Sequence, residues 1–350
     1  MAILASEIIV KKSVVVSNDS TNGGLMDNNA TVISGGVQNV FPHAFKAERT
    51  AGSTTYRKLF LKNNNNSDKT LYNPQLWFDF PTEADDWVSF FIGTQTDLQQ
   101  AGWPGTDTNR KYGIGTLTTG VTGGATSTLI VSVPDALSLT TEIIFVAGDT
   151  LRITNMATPD AVTGDEELVV IDAGGVSVGA ASGGYTPITL TLTATVVNSY
   201  AAYNPTLKTG GRVMTVYEGA DLVSSVDTYT DASGIYDEST YPVIADNVGT
   251  IEQTVTLTFS DATNFTATSN VAGVTLGSGT IGADFKPVNP DGEYYFNLEA
   301  AGWGSPAGAD VFSFKTHPAA IPFWEKRVIP ASSGSLANNK IVQVTSAETA

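Results

Sequence analysis

The strict two-residue alternation of Ile188-Thr-Leu-Thr-Leu-Thr-Ala-Thr-Val196 limits the fold more than any other stretch of the sequence. Only an extended strand puts every second side chain on one face. The pattern places Ile188, Leu190, Leu192, Ala194 and Val196 on one side and Thr189, Thr191, Thr193 and Thr195 on the other. Threonine suits a solvated side, because its branched Cβ fits a pleated surface while its hydroxyl stays wet. Thr254-Val-Thr-Leu-Thr-Phe259 repeats the device with Val255, Leu257 and Phe259 inward. Further strands are predicted at 8–16, 56–62, 75–80, 88–93, 142–146, 151–154, 168–172, 212–217, 311–315 and 323–329. Clusters of Gly, Asn, Asp and Ser at 18–24, 63–68, 123–124, 174–175 and 183–184 separate them as turns. Helical spacing is nearly absent, so the chain reads as all-β, with two or three β-sandwich or barrel-like domains.

At 350 residues the chain is long for one domain, and its 41% hydrophobic content is enough to fill several cores. Charge divides it unevenly. Residues 1–112 carry net −1, residues 113–311 net −18 and residues 312–350 net +2, within a total of −17. The two near-neutral ends resemble each other, which predicts a discontinuous N-terminal β-sandwich of 1–112 plus 312–350, completed by the C-terminal segment. An inserted β domain at 113–205 and a second acidic β domain at 206–311 lie between them. Uneven composition without any insertion gives the same numbers.

The same composition removes several chemistries. With no cysteine there is no disulfide scaffold, thiolate metal site or cysteine nucleophile. A net charge of −17 argues against nucleic acid as a partner. No apolar run approaches the length of a membrane span, and Lys11-Lys12 follow the first apolar residues instead of preceding them, so neither membrane insertion nor a secretory signal is expected. Without strand-helix-strand units there is no phosphate cradle, and the glycine pairs read as turns. His43 and His317 read as loop or strand-end residues, and Asp165-Glu166-Glu167 and Asp237-Glu238 as solvated faces. Asp231-Ala-Ser-Gly-Ile-Tyr-Asp237 flanks a glycine with two carboxylates in the manner of a calcium loop. It lacks the alternating acidic order and closing glutamate of such a loop and reads as a turn. The residues therefore predict no enzyme, no cofactor and no metal.

Two aromatic stretches bear on contacts instead of catalysis. In Gln75-Leu-Trp-Phe-Asp-Phe80, alternation sets Trp77 apart from Leu76, Phe78 and Phe80. Pro322-Phe-Trp-Glu-Lys-Arg-Val-Ile-Pro330 mixes aromatic and charged residues between two prolines, which suits an edge strand. Aromatic residues and arginine are enriched at protein interfaces, so Tyr56, Arg57, Trp77, Phe323, Trp324 and Arg327 are the candidate interface residues. The alternative for Trp77 and Trp324 is cover by a second sheet or by the inserted domain of the same chain.

The stretch Tyr56-Arg-Lys-Leu-Phe-Leu-Lys-Asn63, a polar turn and then Leu71-Tyr-Asn-Pro-Gln-Leu-Trp77 resembles the N-terminal sandwich of a group of tailed-bacteriophage and prophage virion structural proteins, tail- or baseplate-associated. Gly249-Thr-Ile-Glu-Gln-Thr-Val-Thr-Leu-Thr-Phe259, Tyr294-Tyr-Phe296, Ala300-Ala-Gly-Trp303 and His317-Pro-Ala-Ala-Ile-Pro-Phe-Trp-Glu-Lys-Arg-Val-Ile-Pro-Ala331 continue the similarity. It covers residues 50–95 and 245–335, and 117–200 loosely. The resemblance implies a non-enzymatic component of a tail or baseplate, assembled in the host cytoplasm and located in the virion. Its partners are then other virion proteins and copies of itself in a symmetric homo-oligomer. The ends form the docking module and the acidic middle projects outward. A capsid or neck decoration protein is one alternative. A host-surface adhesin that binds glycan through Trp103 and Trp303 is a second, and a glycan-degrading enzyme acting through paired carboxylates is a third, disfavoured by short strands with no β-helix repeat. No catalytic residue carries over.

Overall fold

The computed structural model describes residues 3–100, 109–138, 142–159, 161–231, 234–336 and 339–349. In chain order its strands are β1 (Ile8–Val15), β2 (Gly23–Thr31), β3 (Ser53–Asn63), β4 (Leu71–Phe80), β5 (Trp87–Ile92), β6 (Ile114–Leu117), β7 (Thr128–Pro134), β8 (Thr150–Thr154), β9 (Glu166–Val178) and β10 (Tyr185–Leu192). There follow β11 (Arg212–Thr215), β12 (Tyr217–Glu218), β13 (Ser225–Asp231), β14 (Gln253–Phe259), β15 (Asn264–Ser269), β16 (Thr275–Thr280), β17 (Val311–His317), β18 (Ala320–Ile329) and β19 (Val342–Thr349). A short helix, α1 (Lys46–Ala51), precedes β3. The protein is all-β, with several antiparallel sheets and a barrel.

The alternating stretches behave as their spacing requires. Ile188, Leu190 and Leu192 on β10 are buried while Thr191 faces solvent, and Val255, Leu257 and Phe259 on β14 are buried. Ala194 is exposed, because β10 ends at Leu192 and the chain bends before Val196 turns back into the core. No strand forms at 142–146: Ile144 and Phe145 are adjacent, yet both are buried in the barrel core. Conversely, β2 begins inside a stretch that reads as a turn, since Gly-Gly-Leu-Met-Asp-Asn-Asn-Ala-Thr has no alternating apolar face.

Four assemblies result. The first sheet has the order β2-β1-β3-β18-β5 and faces a second, three-stranded sheet, β12-β4-β19. Leu59, Leu61, Leu76, Phe78, Phe90 and Phe323 share the core that joins these two sheets. The closed barrel runs β10-β7-β6-β11-β8-β9, and a third sheet runs β13-β17-β14-β15-β16. Strands β18 and β19, from the C-terminal end, thus pair with strands from the N-terminal end. The pairing partners put two sequence boundaries elsewhere. Arg212–Thr215 pairs with β6 and β8 in the barrel, so the barrel runs past residue 205. Val311–His317 pairs with β13 and β14, so the third sheet runs past residue 311.

Strand β18 is central, not an edge. It pairs with β3 from Ala320↔Lys62 to Ile329↔Ser53, and with β5 from Phe323↔Ile92 to Val328↔Trp87. Pro322 is tolerated because the N and C=O of one strand residue point to the same side, and its carbonyl accepts the Gly93 amide at 3.0 Å. Its missing N–H therefore faces the side where β5 has already ended. Nearly every residue of β3 and β18 is buried on both faces, a pattern in which polar and apolar residues alternate without either facing water.

Trp324 sets the spacing on the outer face. Its ring stacks on Phe91 with centroids 6.4 Å apart, and its Nε1 donates to Asp97 Oδ2 at 2.9 Å. Gly93 lets it lie this close: a Cβ there would stand 2.9 Å from Trp324 Cδ1 and 2.8 Å from Asp97 Oδ2. Gly93→Ala is expected to cost about 1–3 kcal/mol through overpacking, and Trp324→Ala about 3–5 kcal/mol through the cavity it leaves. Urea unfolding checks both; a midpoint unchanged by either substitution contradicts this packing.

Candidate functional site

The six residues that composition and alternation nominate as an interface all lie inside the chain. Tyr56, Arg57, Trp77, Phe323, Trp324 and Arg327 are between 0 and 8% exposed. They do not form one patch. Tyr56 and Trp324 occupy the outer face of the first sheet with Phe91. Phe323 packs edge-on against Phe90 in the core between the sheets, with centroids 6.2 Å apart. Arg57 and Arg327 both meet the Phe41 ring, at 5.9 and 4.8 Å. Arg57 donates to Ser17 O and Asn18 Oδ1, and Arg327 to Pro42 O. Trp77 lies on the second sheet beneath the barrel, where the Arg152 guanidinium covers its ring at 4.4 Å. Arg212 of β11 likewise stands 3.8 Å over Phe80 and donates from Nε to Asp79 O at 2.8 Å. Cover from within the chain, not a partner, accounts for these aromatics. Alternation along one strand gives no sign of what a distant segment lays over its outward face.

Basic side chains on that outer face join the modules. Lys58 Nζ meets Asp97 Oδ1 at 2.6 Å and donates to Gly24 O at 2.6 Å. Lys326 Nζ donates to Glu142 Oε1 at 2.5 Å, a residue of the barrel segment. Lys62 Nζ donates to Val248 O at 2.6 Å, in a loop between β13 and β14. Asn247 beside it reaches the loop after β3, its amide donating to Asp68 Oδ1 at 2.7 Å and its Nδ2 to Lys69 O at 3.0 Å.

Two clefts open along these junctions. The first, of about 200 Å³, has Lys11 and Lys62 from the first sheet on one side and Asp291 and Glu293 from the loop after β16 on the other, with Asn28 and Asn64 between them. Burial, together with the neighbouring Lys11, brings the Lys62 ammonium down to about 8, partly offset by Asp246, Asp291 and Glu293. The second cleft, of about 240 Å³, lies between the sandwich and the barrel. Phe80, Trp87, Leu137 and Tyr185 line it, with Asp85 and Asp86 at its rim. Burial raises the Asp86 carboxyl, although Asn339 Nδ2 donates to it at 2.7 Å. Sequence reasoning missed both clefts, because each is lined by segments far apart in the chain.

Other sequence-derived candidates serve their own loops. Asp231 Oδ2 accepts the Tyr236 amide, and Asp237 Oδ1 accepts from Ser239 and Thr240. Glu166 pairs with Arg152, and both Glu167 oxygens accept amides of Val197 and Asn198. Trp303 sits in the core of the third sheet, 4.7 Å from the Tyr236 ring and 5.5 Å from Phe259, so it offers no exposed platform. Trp103 lies outside the described residues. His43 is exposed and bonds Gln38, whereas His317 closes β17 between two carboxylates, with Nδ1 2.8 Å from Glu252 Oε2 and Nε2 3.1 Å from Asp227 Oδ1. Among the described residues no group of three or more His, Asp or Glu side chains is placed to hold a metal ion. No family model, curated protein or solved structure matches the chain.

Two of the shifted groups show how stability depends on pH around neutrality. Burial opposes the charged form of His317, but its contacts with Asp227 and Glu252 outweigh this and hold its pKa above 6.5. Its contribution is fully present below pH 6.5 and is lost as pH rises through the higher folded value. Glu325 is 2% exposed, lies between Arg57 and Phe90 in the pairing, and its Oε2 has no hydrogen-bond partner among the described residues. Desolvation raises its carboxyl from 4.5 to about 8. The folded state therefore keeps a proton that the unfolded state gives up, and stability falls as pH rises from 4.5 to about 8. Glu325→Gln is expected to match the parent near pH 4 and to exceed it by a few kcal/mol, roughly, above pH 8. His317→Gln should flatten the decline above pH 6.5. Unfolding midpoints measured across this range check both, and parallel curves for parent and variant contradict the assignment.

Proposed function

We propose that the chain is a non-enzymatic structural component of a tailed-phage virion, in the tail or baseplate, working through contacts with other virion proteins and copies of itself. The observation that supports this reading best is the interlocked core. Of the segments that carry the resemblance, 56–77 and 317–331 build the doubly covered first sheet and its partner sheet, and 249–259 supplies a strand of the third sheet. Lysines of that sheet bind the barrel segment at Glu142 and, at Val248, the loop between two strands of the third sheet. A body tied together in this way suits one copy in a symmetric assembly. A capsid or neck decoration protein uses the same properties.

The contact surface lies at one end of the sandwich and not at the six buried residues. Ser17 and Phe41 both meet Arg57, so the end of β1 and the loop 32–45 are neighbours. Val14, Val15 and Val16 are exposed on the first, and Ile33, Val37 and Phe45 on the second. Apolar side chains gathered this way on a surface mark a protein contact. Glycan binding is the second reading, favoured by the sandwich–barrel cleft, where Trp87 and Tyr185 offer rings and Asp85 a carboxylate.

The double variant Val15→Glu, Phe45→Glu tests the proposal. It should keep the parent unfolding midpoint, since both side chains are exposed, and lower incorporation into particles by about tenfold or more, the effect of losing at least 1.4 kcal/mol of contact energy. Normal incorporation of a folded variant contradicts the assigned surface. Saturable binding of glycan by the isolated chain, lost in Trp87→Ala and without particle incorporation, contradicts the structural reading.

A further inference from the structure

The cleft between the first sheet and the loop after β16 brings together an amine, a carboxamide and two carboxylates. Lys62 Nζ stands 3.4 Å from Asn28 Oδ1 and donates to Val248 O at 2.6 Å. Asp291 and Glu293 line the same space. Lys62 belongs to β3 and Asn28 to β2, with β1 between them in the sheet. We propose that Lys62 and Asn28 condense into an intramolecular isopeptide bond that ties β2 to β3 across β1.

The reaction balances without an oxidant or other co-reactant. The neutral Nζ of Lys62 attacks Cγ of Asn28, the new C–N bond forms, and the carbonyl electron pair moves onto Oδ1. When that pair returns, the bond from Cγ to Nδ2 breaks and ammonia leaves, carrying a proton that Nζ has released. A carboxyl group has to accept the proton from Nζ and deliver it to Nδ2, and Asp291 and Glu293, which line the same cleft, are the groups assigned to this relay. Asp291 meets the residue next to Asn28: the side-chain Nδ2 of Asn29 donates to its carboxylate oxygens at 3.1 and 3.2 Å, in the orientation of that carboxamide that satisfies both groups.

The surroundings prepare each reactant. Lys62 is 1% exposed, and the cost of desolvating its charge brings its pKa down to about 8, so roughly a tenth of the amine is neutral at pH 7. Its hydrogen bond to Val248 O limits rotation of a flexible side chain, and Lys11 Nζ donates to Asn28 O at 2.5 Å, which fixes the backbone of the other reactant. The product also meets a structural need. Strand β2 is an edge, and its pairing with β1 shifts register between Lys11 and Ser13 and again between Ser13 and Val15. An irregular edge ladder of this kind is the first part of a sheet to fray. This inference concerns the chain's own covalent structure and holds whatever assembly the chain joins.

The mass of the intact, denatured full-length chain tests it. The expected mass is that of the sequence, corrected for the initiator methionine, less one ammonia. Protease digestion should then yield a branched peptide joining Lys62 to Asn28, with no tryptic cleavage after Lys62. Lys62→Met should restore the full sequence mass. An unmodified wild-type mass overturns the proposal, and so does an ammonia loss confined to a linear peptide containing Asn22-Gly23, where succinimide formation gives the same change. The wild-type measurement decides the matter even if Lys62→Met fails to fold. The double variant Asp291→Asn, Glu293→Gln should keep the full mass, and complete cross-linking in it overturns the assigned relay.

Discussion

Burying an ammonium group is tolerable only where oxygen acceptors come to meet it, and the arrangement of this chain follows from how that is met on the first sheet. Lys11, Lys58, Lys62 and Lys326 are all buried on its outer face. An uncompensated buried charge costs several kcal/mol, a large part of the stability of a whole domain. Each lysine therefore draws in a segment: Asn28 and Gly24 of β2, the loop at Gln95 and Asp97, Val248 beside the third sheet and Glu142 of the barrel segment. Apolar burial holds each module together and, through Ile114, Met214 and Trp87, also joins sandwich to barrel, and these polar contacts add further ties between the modules.

The same contacts bear on the uneven charge of the sequence. Half of the fourteen basic residues in the near-neutral ends are buried, four of them in this layer, and add nothing to a positive surface. The acidic middle, on the other hand, presents its carboxylates to loops and solvent, as at Glu167, Asp237 and Asp261. Buried carboxyls depart from that pattern. Glu325 stays inside the core with no partner for Oε2 among the described residues and keeps its proton at neutral pH, so the strand that closes the sandwich also contains a pH-sensitive point.

The sequence revealed most where one face of a strand meets water. Threonine alternation located β10 and β14 and gave the inward faces correctly, apart from Ala194 beyond the end of β10. It misled where both faces are covered. The prolines and mixed chemistry of 322–330 suit an edge, yet β18 is central, because Pro322 falls one residue beyond the end of β5. Trp77 and Trp324 stand out from the apolar stripe of their strands for a related reason: Arg152 and Asp97, from distant segments, supply their cover. The Lys62–Asn28 juxtaposition was not readable at all, since it depends on two strands that flank a third.

Strand β18 forms one cooperative unit with β3, locked by buried polar contacts on one face and by the shared apolar core on the other. Native-state hydrogen exchange of the backbone amides reads this cooperativity. Amides of β18, from Phe323 to Val328, and of β3, from Arg57 to Leu61, are expected to exchange only through global unfolding, with one common opening free energy. Sub-global exchange of β18, with β3 still protected, would contradict it.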